Sequence, residues 1–509
     1  MYALCRDSSP RTDNPLTNAL SNLGPVALGL SVFALLVAWC FSHRRVDRTL
    51  AALGLYLGLL DAYLKLSTGS DAVILGRDAL IAAIALGALI RSMMANEPLP
   101  IPPLGGFVLA FGAIVVIEMF NPQGPGLGGG LAGLRQHLEF VPLFFLGYAF
   151  LRRNSQIRTL LMIIVVTASL GGGVSYIQST LTPQELADWG PGYSERILGT
   201  GSFIGAPRVT NEDGGVRRVR PFGLGSDMGA GAITAALGLP ALIVLTVGAG
   251  GRWLLLSPLY IGIALAVGTS GTREALVMFV ITALAFALLT ATSKLASRAT
   301  AALAIGVVVP YLAFGFLGID NPTGKQAETI TPSRVVTTFK SDRGDSARLL
   351  QRYAETYPLG VGVGSVGPAA AAFARQDSSL PQLNAETQWN MLLVETGLVG
   401  FLILVGLHLR LIWLALTRIR RVADLQARLQ MAALAAPLFG LLVAGFARPT
   451  TLSVPQAPYF WLIAGILSYW LITAFRGADG NAGDTAASAE LDGSAERLRE
   501  RVPATAASA

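Results

Sequence analysis

Charge is scarce in this chain. Only 14% of its 509 residues are Asp, Glu, Lys or Arg and 52% are hydrophobic, with a mean hydropathy of +0.56. A soluble domain is about 25% charged, so a water-soluble globular protein is excluded. Cysteine is scarcer still: Cys5 near the start and Cys40 in the first apolar run give neither a disulfide framework nor a metal spacing. His43, His137 and His408 stand far apart, and with no Asp-x-Asp pair the sequence offers no metal site. No glycine-rich loop leads into a helix through Lys and Ser/Thr, which removes a nucleotide-binding unit. No stripe of Lys and Arg alternates with aromatics, so the net charge of +7 does not indicate a nucleic-acid partner. No cofactor is expected.

Long apolar runs, by contrast, recur along almost the whole chain. Crossing the hydrocarbon takes about 17 to 25 residues, and such runs fall near 24–41, 50–66, 72–90, 104–120, 138–151, 160–177, 229–247, 253–267, 275–290, 301–317, 391–413, 431–446 and 459–475. The expectation is an all-α, polytopic membrane helix bundle of about thirteen spans. Basic residues sit on alternate connections, at HRRVDR (43–48), RRNSQIR (152–158), Arg252, SKLASR (293–298) and RIRRVADLQAR (418–428). Cytoplasmic loops hold such residues, which predicts an outside N-terminus. Residues 1–22 read as a short polar lead without a signal-peptide pattern, 23–475 as the membrane domain, and 476–509 as a disordered cytoplasmic tail.

Two long loops, 178–228 and 318–390, then face outward, and long loops in a membrane protein usually carry function. The first ends in VRRVRPFGLGSDMG, which places Arg217, Arg218 and Arg220 on the side where arginine is least expected. Pairing with Glu212 and Asp213 is one account of them, and an anion site is the other. Arg135 in GLRQHLEF, Arg273, Arg343 and Arg348 fall on the same side. A guanidinium fork matches phosphate oxygens and keeps its charge at any physiological pH. In GTSGTREALVMF (268–279), Ser270 or Thr272 can cap a helix beginning at Arg273. Unsatisfied backbone N–H groups and a guanidinium would then converge just below the outer surface. Pairing of Arg273 with Glu274, or snorkelling to headgroups, stays open beside that reading.

Four motifs carry a resemblance. NAETQWNMLLVETGLVGFL (384–402) is similar to a polar loop end followed by "LL-E-x-G-L-x-G", and YPLGVGVGSVG (357–367) to an "hP-L-G-V-G-x-G" turn. GTSGTREAL resembles an "S-x-S-R" helix start, and VRRVRPFGLGSDMGAG an "R-x-x-G" entry to a span. In this order, over about residues 130 to 475, they resemble the O-antigen ligase and O-antigen polymerase superfamily. The resemblance implies a glycosyltransferase of the bacterial cytoplasmic membrane, acting at the outer face on surface polysaccharide. Its partners would be a polyprenyl-diphosphate-linked oligosaccharide donor, a glycan acceptor, the lipid bilayer, and polysaccharide chain-length or export proteins. It points to donor diphosphate binding by Arg220, Arg273 and Arg348, to which Arg135 is added by its outer placement alone, and to Glu386 as the catalytic position. The ligases carry histidine where this chain has Glu386, which favours a polymerase. A carboxylate can also take the acceptor hydroxyl's proton. Pairing of Glu386 with Arg348 or Arg375 is its alternative, and Glu395 reads as a polar contact inside the bundle.

Within the spans, Asp61 and Lys65 stand four apart and can pair along one helix face. Arg77 and Asp78 are adjacent, so each should need a partner on another element. Arg448 is a distant candidate for the site. A transporter or flippase of lipid-linked oligosaccharide would share the all-helical build, but such proteins gather polar groups at the midplane and show internal repeats. Here the charges gather at the outer ends, and no repeat is seen.

Overall fold

In hydrocarbon a helix satisfies its own backbone, and the apolar runs take that form. The computed structural model describes residues 31–43, 45–96, 99–199, 209–211, 217–270, 272–291, 344–367, 370, 385 and 387–474. The expected span at 301–317, the N-terminal lead, the C-terminal tail, Glu386, Arg343 and the side chains of Arg217, Arg218 and Arg273 lie outside the described residues.

The helices are α1 (Ser31–Ser42), α2 (Val46–Thr68), α3 (Asp71–Met94), α4 (Gly105–Glu118), α5 (Gly126–Leu138), α6 (Pro142–Phe150) and α7 (Asn154–Thr180). Two short helices follow, α8 (Pro183–Ala187) and α9 (Pro191–Leu198), and then a two-stranded antiparallel ribbon, β1 (Val209–Asn211) with β2 (Arg217–Val219). The remainder is α10 (Ala230–Ala249), α11 (Ser257–Thr269), α12 (Arg273–Thr290), α13 (Gly344–Thr356), α14 (Gln388–Arg418), α15 (Leu425–Ala444) and α16 (Gln456–Ser468). Among the described residues, six helices are long and apolar enough to cross a membrane, and the chain is an integral membrane protein.

Hydrophobicity on every side of α10 marks it as a central helix. All its residues from Ala230 to Leu245 are buried, against α7, α11, α12 and α15. Around that core α16 packs on α6, and α14 packs on α4 and α13. One run departs from expectation. The stretch 138–151 is not a single helix: α5 stops at Leu138 and α6 starts at Pro142. Pro142 has no N–H to give to residue 138, and the Glu139 carboxylate between the two helices is drawn 2.5 Å from Arg77 Nη2.

The two ends of the bundle differ. At one, arginines close the helices onto backbone carbonyls: Arg91 donates to Phe41 O, Arg152 to Tyr148 O and Arg418 to Leu471 O. At the other, the described residues of 178–228 form a small folded cap. Leu66, Leu186, Tyr193, Ile197, Val219 and Phe222 form its apolar core, joining α8, α9 and β2 to the end of α2. Burial pushes the Tyr193 hydroxyl further above its ordinary pKa, so the cap holds it neutral. Thr182 and Glu185 form a reciprocal capping box at the start of α8.

Candidate functional site

The turn 220–229 is tied down from three directions. Gln178, fully buried at the end of α7, accepts the N–H groups of Phe222 and Gly223 on one oxygen, each at 2.8 Å. Ser226 N–H donates to Val454 O at 3.1 Å, and Gly229 N–H closes back on Pro221 O at 2.7 Å. Gly229, at φ +71°, is the cap residue before α10, and a side chain there would strike Thr272 Oγ1 at 2.4 Å. Glycine is therefore what lets the starts of α10 and α12 meet.

The second helix begins at Arg273, as its sequence predicts, but neither candidate hydroxyl caps it. Thr272 occupies the cap position without a side-chain hydrogen bond, because its side chain is turned against Gly229. Its buried Oγ1 has no hydrogen-bond partner among the described residues. Ser270 Oγ accepts the Thr272 N–H at 3.4 Å and so shapes the turn instead. Two helix N-termini, each with partial positive charge and unsatisfied N–H groups, thus lie side by side.

Arginines surround this junction. Arg448, 7% exposed, donates to Met228 O at 3.0 Å and to Asp227 Oδ2 at 3.1 Å, and lies 3.9 Å from Glu274. Arg196 on α9 reaches the other Asp227 oxygen at 3.7 Å. Arg220 packs on the same turn, with Nη1 3.9 Å from Met228 Sδ. Asp227 and Glu274 hold these cations in place, and the helix ends keep the local field positive. The arrangement suits a polyanion. Sequence reading missed Arg196 and Asp227 and set Arg448 aside. The only signal for Asp227 was its place in the RPFGLGSDMG motif.

A second construction carries α14 toward this end. Glu395 is fully buried; its Oε1 accepts Gly364 N–H at 2.8 Å and Val366 N–H at 3.2 Å, and its Oε2 lies 2.5 Å from His137 Nε2. The expectation of a polar contact inside the bundle holds. Between them Glu395 and His137 fix the glycine turn 357–367 against α5, where Gly133 and Gly364 meet backbone to backbone. Two residues after Glu395, Gly397 at φ +64° breaks α14, and Leu398 N–H pairs with Pro358 O at 2.8 Å across the break. The first segment of α14 therefore starts at a fixed place. Thr387 caps it by accepting Asn390 N–H, and Gln388 takes Thr451 N–H at 3.0 Å. Glu386 directly precedes that cap in the sequence.

The remaining candidates fall elsewhere. Arg135 lies 2.5 Å from Asp78 and 4.0 Å from Glu139, in a group centred on Arg77. Arg77 also contacts its neighbour Asp78 at 3.1 Å, which the sequence reading had excluded, and Asp61 at 3.3 Å. Asp61 therefore pairs with Arg77 and not with Lys65. A guanidinium over the Phe140 ring, at 5.0 Å, can serve three carboxylates at once, and here it takes Asp61 in place of the i, i+4 lysine. Arg348 is exposed on α13, and no contact among the described residues joins it to Arg220. The structure brings together Arg220 and the start of α12, and leaves Arg135 and Arg348 on other elements.

Residues 258–405 match the family model described as O-Antigen ligase. The matched stretch holds the turn before α12, the glycine turn and the first part of α14 through Gly397, and it supports the O-antigen ligase and polymerase superfamily. No curated protein is similar enough to the chain to count as a match.

Proposed function

We propose that the chain is a membrane glycosyltransferase of surface polysaccharide synthesis, which polymerises oligosaccharide carried on polyprenyl diphosphate. The observation that carries this reading is the meeting of the α10 and α12 N-termini among Arg220, Arg196 and Arg448. Such a site receives the diphosphate of the donor and stabilises the charge that grows on it as the glycosidic bond to it breaks. Arg273 stands at that junction by its position, Arg348 is assigned to donor binding by the motifs around it, and Arg135 by its expected place on the outer side. The acceptor hydroxyl attacks the anomeric carbon, its proton passes to Glu386, and polyprenyl diphosphate departs. The site belongs on the outer face of the cytoplasmic membrane, a placement supported by the arginines that close the opposite end of the bundle.

The test is transfer by purified protein in detergent, where no gradient exists and a transporter can make no bond. Wild type should form product from polyprenyl-diphosphate oligosaccharide. Arg220→Lys and Arg273→Lys should fail almost as badly as the alanine variants, since a point charge cannot reproduce a bidentate contact. Full activity in the alanine variants would remove the site, and no product from wild type across varied acceptors would favour a flippase.

The orientation has its own test. A cysteine at Ser341, in a background lacking Cys5 and Cys40, should react with an impermeant thiol reagent in intact spheroplasts. Labelling only after permeabilisation would place the 318–390 stretch inside and overturn the outward-facing site.

A further inference from the structure

The end of the bundle that arginines close holds a cleft that the candidate site does not use. There α2 and α7 run side by side, and glycines let them touch partway along: a side chain at Gly54 would meet Ile163 at 3.5 Å, and one at Gly58 would strike Thr167 at 2.5 Å. On the arginine-closed side of that contact the two helices leave a cavity of about 300 Å³ between them. Ligand pockets begin at about this size. Its floor is apolar and buried, made by Leu50 of α2, Leu160 and Ile163 of α7, and Leu462, which reaches in from α16. Its rim is polar: Arg48, Ser155 and Thr159 are exposed there, and Asp47 and Gln156 are half-buried. From Ser155 to Ile163 the axis of α7 rises about 12 Å, which carries the wall of the cleft from headgroup depth into the hydrocarbon.

We propose that this cleft binds an anionic phospholipid of the inner leaflet, with its phosphate at the rim and one acyl chain on the floor. Charge favours an anion. Arg48 lines the cleft, and its side chain makes no ion pair or hydrogen bond among the described residues. Arg45 and Arg153, each two residues from a lining position, are exposed as well, against Asp47 as the one acid among the lining residues. Gln156 Oε1 accepts the N–H groups of Arg152 and Arg153 at 3.1 and 3.0 Å, which leaves its amide hydrogens for a phosphate oxygen. Basic pockets between helices on the cytoplasmic side are where acidic headgroups bind. A soluble anion has no use for the leucine floor, and lipids that wet a convex bundle need no cleft walled by three helices. The inference does not depend on glycosyl transfer, yet the place is connected to the candidate site. From this cleft α7 runs on to Gln178, whose oxygen holds Phe222 and Gly223, so a lipid wedged among α2, α7 and α16 braces the helix that carries that turn.

Lipid binding tests this. The purified full chain in nonionic detergent is titrated with dioleoylphosphatidylglycerol, with dioleoylphosphatidylcholine, which has the same chains on a headgroup without net charge, and with glycerol 1-phosphate, which has no chains. Native mass spectrometry reads the first bound molecule. Wild type should bind phosphatidylglycerol about tenfold more tightly than phosphatidylcholine, the worth of about one charged hydrogen bond, and should take up no glycerol 1-phosphate over the same range. Arg48→Gln, at an exposed side chain, should lose most of that preference and keep the weaker binding of phosphatidylcholine. Thr159→Trp sets an indole in the mouth of the cleft and should weaken both lipids, while its melting without lipid matches wild type and shows the fold intact. Equal binding of both lipids by wild type, or an unchanged preference in Arg48→Gln, would overturn the site. Glycerol 1-phosphate binding as tightly as the lipid would overturn it in favour of a soluble anion. If Thr159→Trp binds both lipids as wild type does, they do not sit in the cleft, and a protein segment is left as its occupant.

Discussion

Glu395→Ala should destabilise the bundle by about 3 to 5 kcal/mol, the range for removing one partner of a buried charged contact. The loss is large because one carboxylate serves three donors that have no water to replace it. Gly364 N–H, Val366 N–H and His137 would all be left without their acceptor inside a fully buried site. An unmade hydrogen bond of this kind costs about 1 to 3 kcal/mol. Glu395→Gln keeps an oxygen for the two backbone donors and should cost less than half as much. Tryptophan fluorescence during thermal unfolding in detergent reads the ordering wild type, Gln, Ala. A double variant with His137→Ala gives a sharper test: the two residues share one contact, so their effects should fall short of additive by about 0.5 to 3 kcal/mol. Additive losses, or an Ala variant that melts with wild type, would show that the pair does not hold the turn.

That pair illustrates what sequence alone could convey. The apolar runs were legible as helices because span length and hydrophobicity are local properties, and α3, α7, α10, α12 and α15 lie close to their expected positions. The Asp61–Lys65 expectation failed for the opposite reason. An i, i+4 spacing shows which groups can meet on one helix, but not that Arg77 arrives from the next helix to take Asp61. His137 and Glu395 are 258 residues apart, and no periodicity joins them. Motifs did better at the site. RPFGLGSDMG and GTSGTRE were singled out separately, and the fold sets Gly229 of one against Thr272 of the other. Arg448 escaped because its worth depends on Asp227 and Glu274 reaching it from two other segments. A single arginine at a span end carries no trace of that in its own neighbourhood.

Glu386→Gln should lower glycosyl transfer by about a hundredfold or more, the scale of lost general-base catalysis, while donor binding persists. Glutamine keeps the size and the hydrogen bonding of the side chain and removes only its capacity to accept the acceptor hydroxyl's proton. The expectation rests on position. Glu386 immediately precedes a helix start fixed by the Thr387 cap, the Gln388 contact to Thr451 and the Glu395 clamp two turns on. A base must be held to a fraction of an ångström to work, and this helix start supplies a rigid mount. Glu386→His should recover part of the lost rate, since imidazole is a competent base near neutral pH. Its rate should also fall off at acid pH as the ring protonates, with a midpoint nearer 6.5 than the carboxylate's. Turnover is measured with purified protein and polyprenyl-diphosphate oligosaccharide, beside a binding titration with the same donor. If the Gln variant makes product as fast as wild type, Glu386 is not the base. If it loses donor binding together with turnover, the side chain positions the substrate, and the proton must go to another group at this end of the bundle.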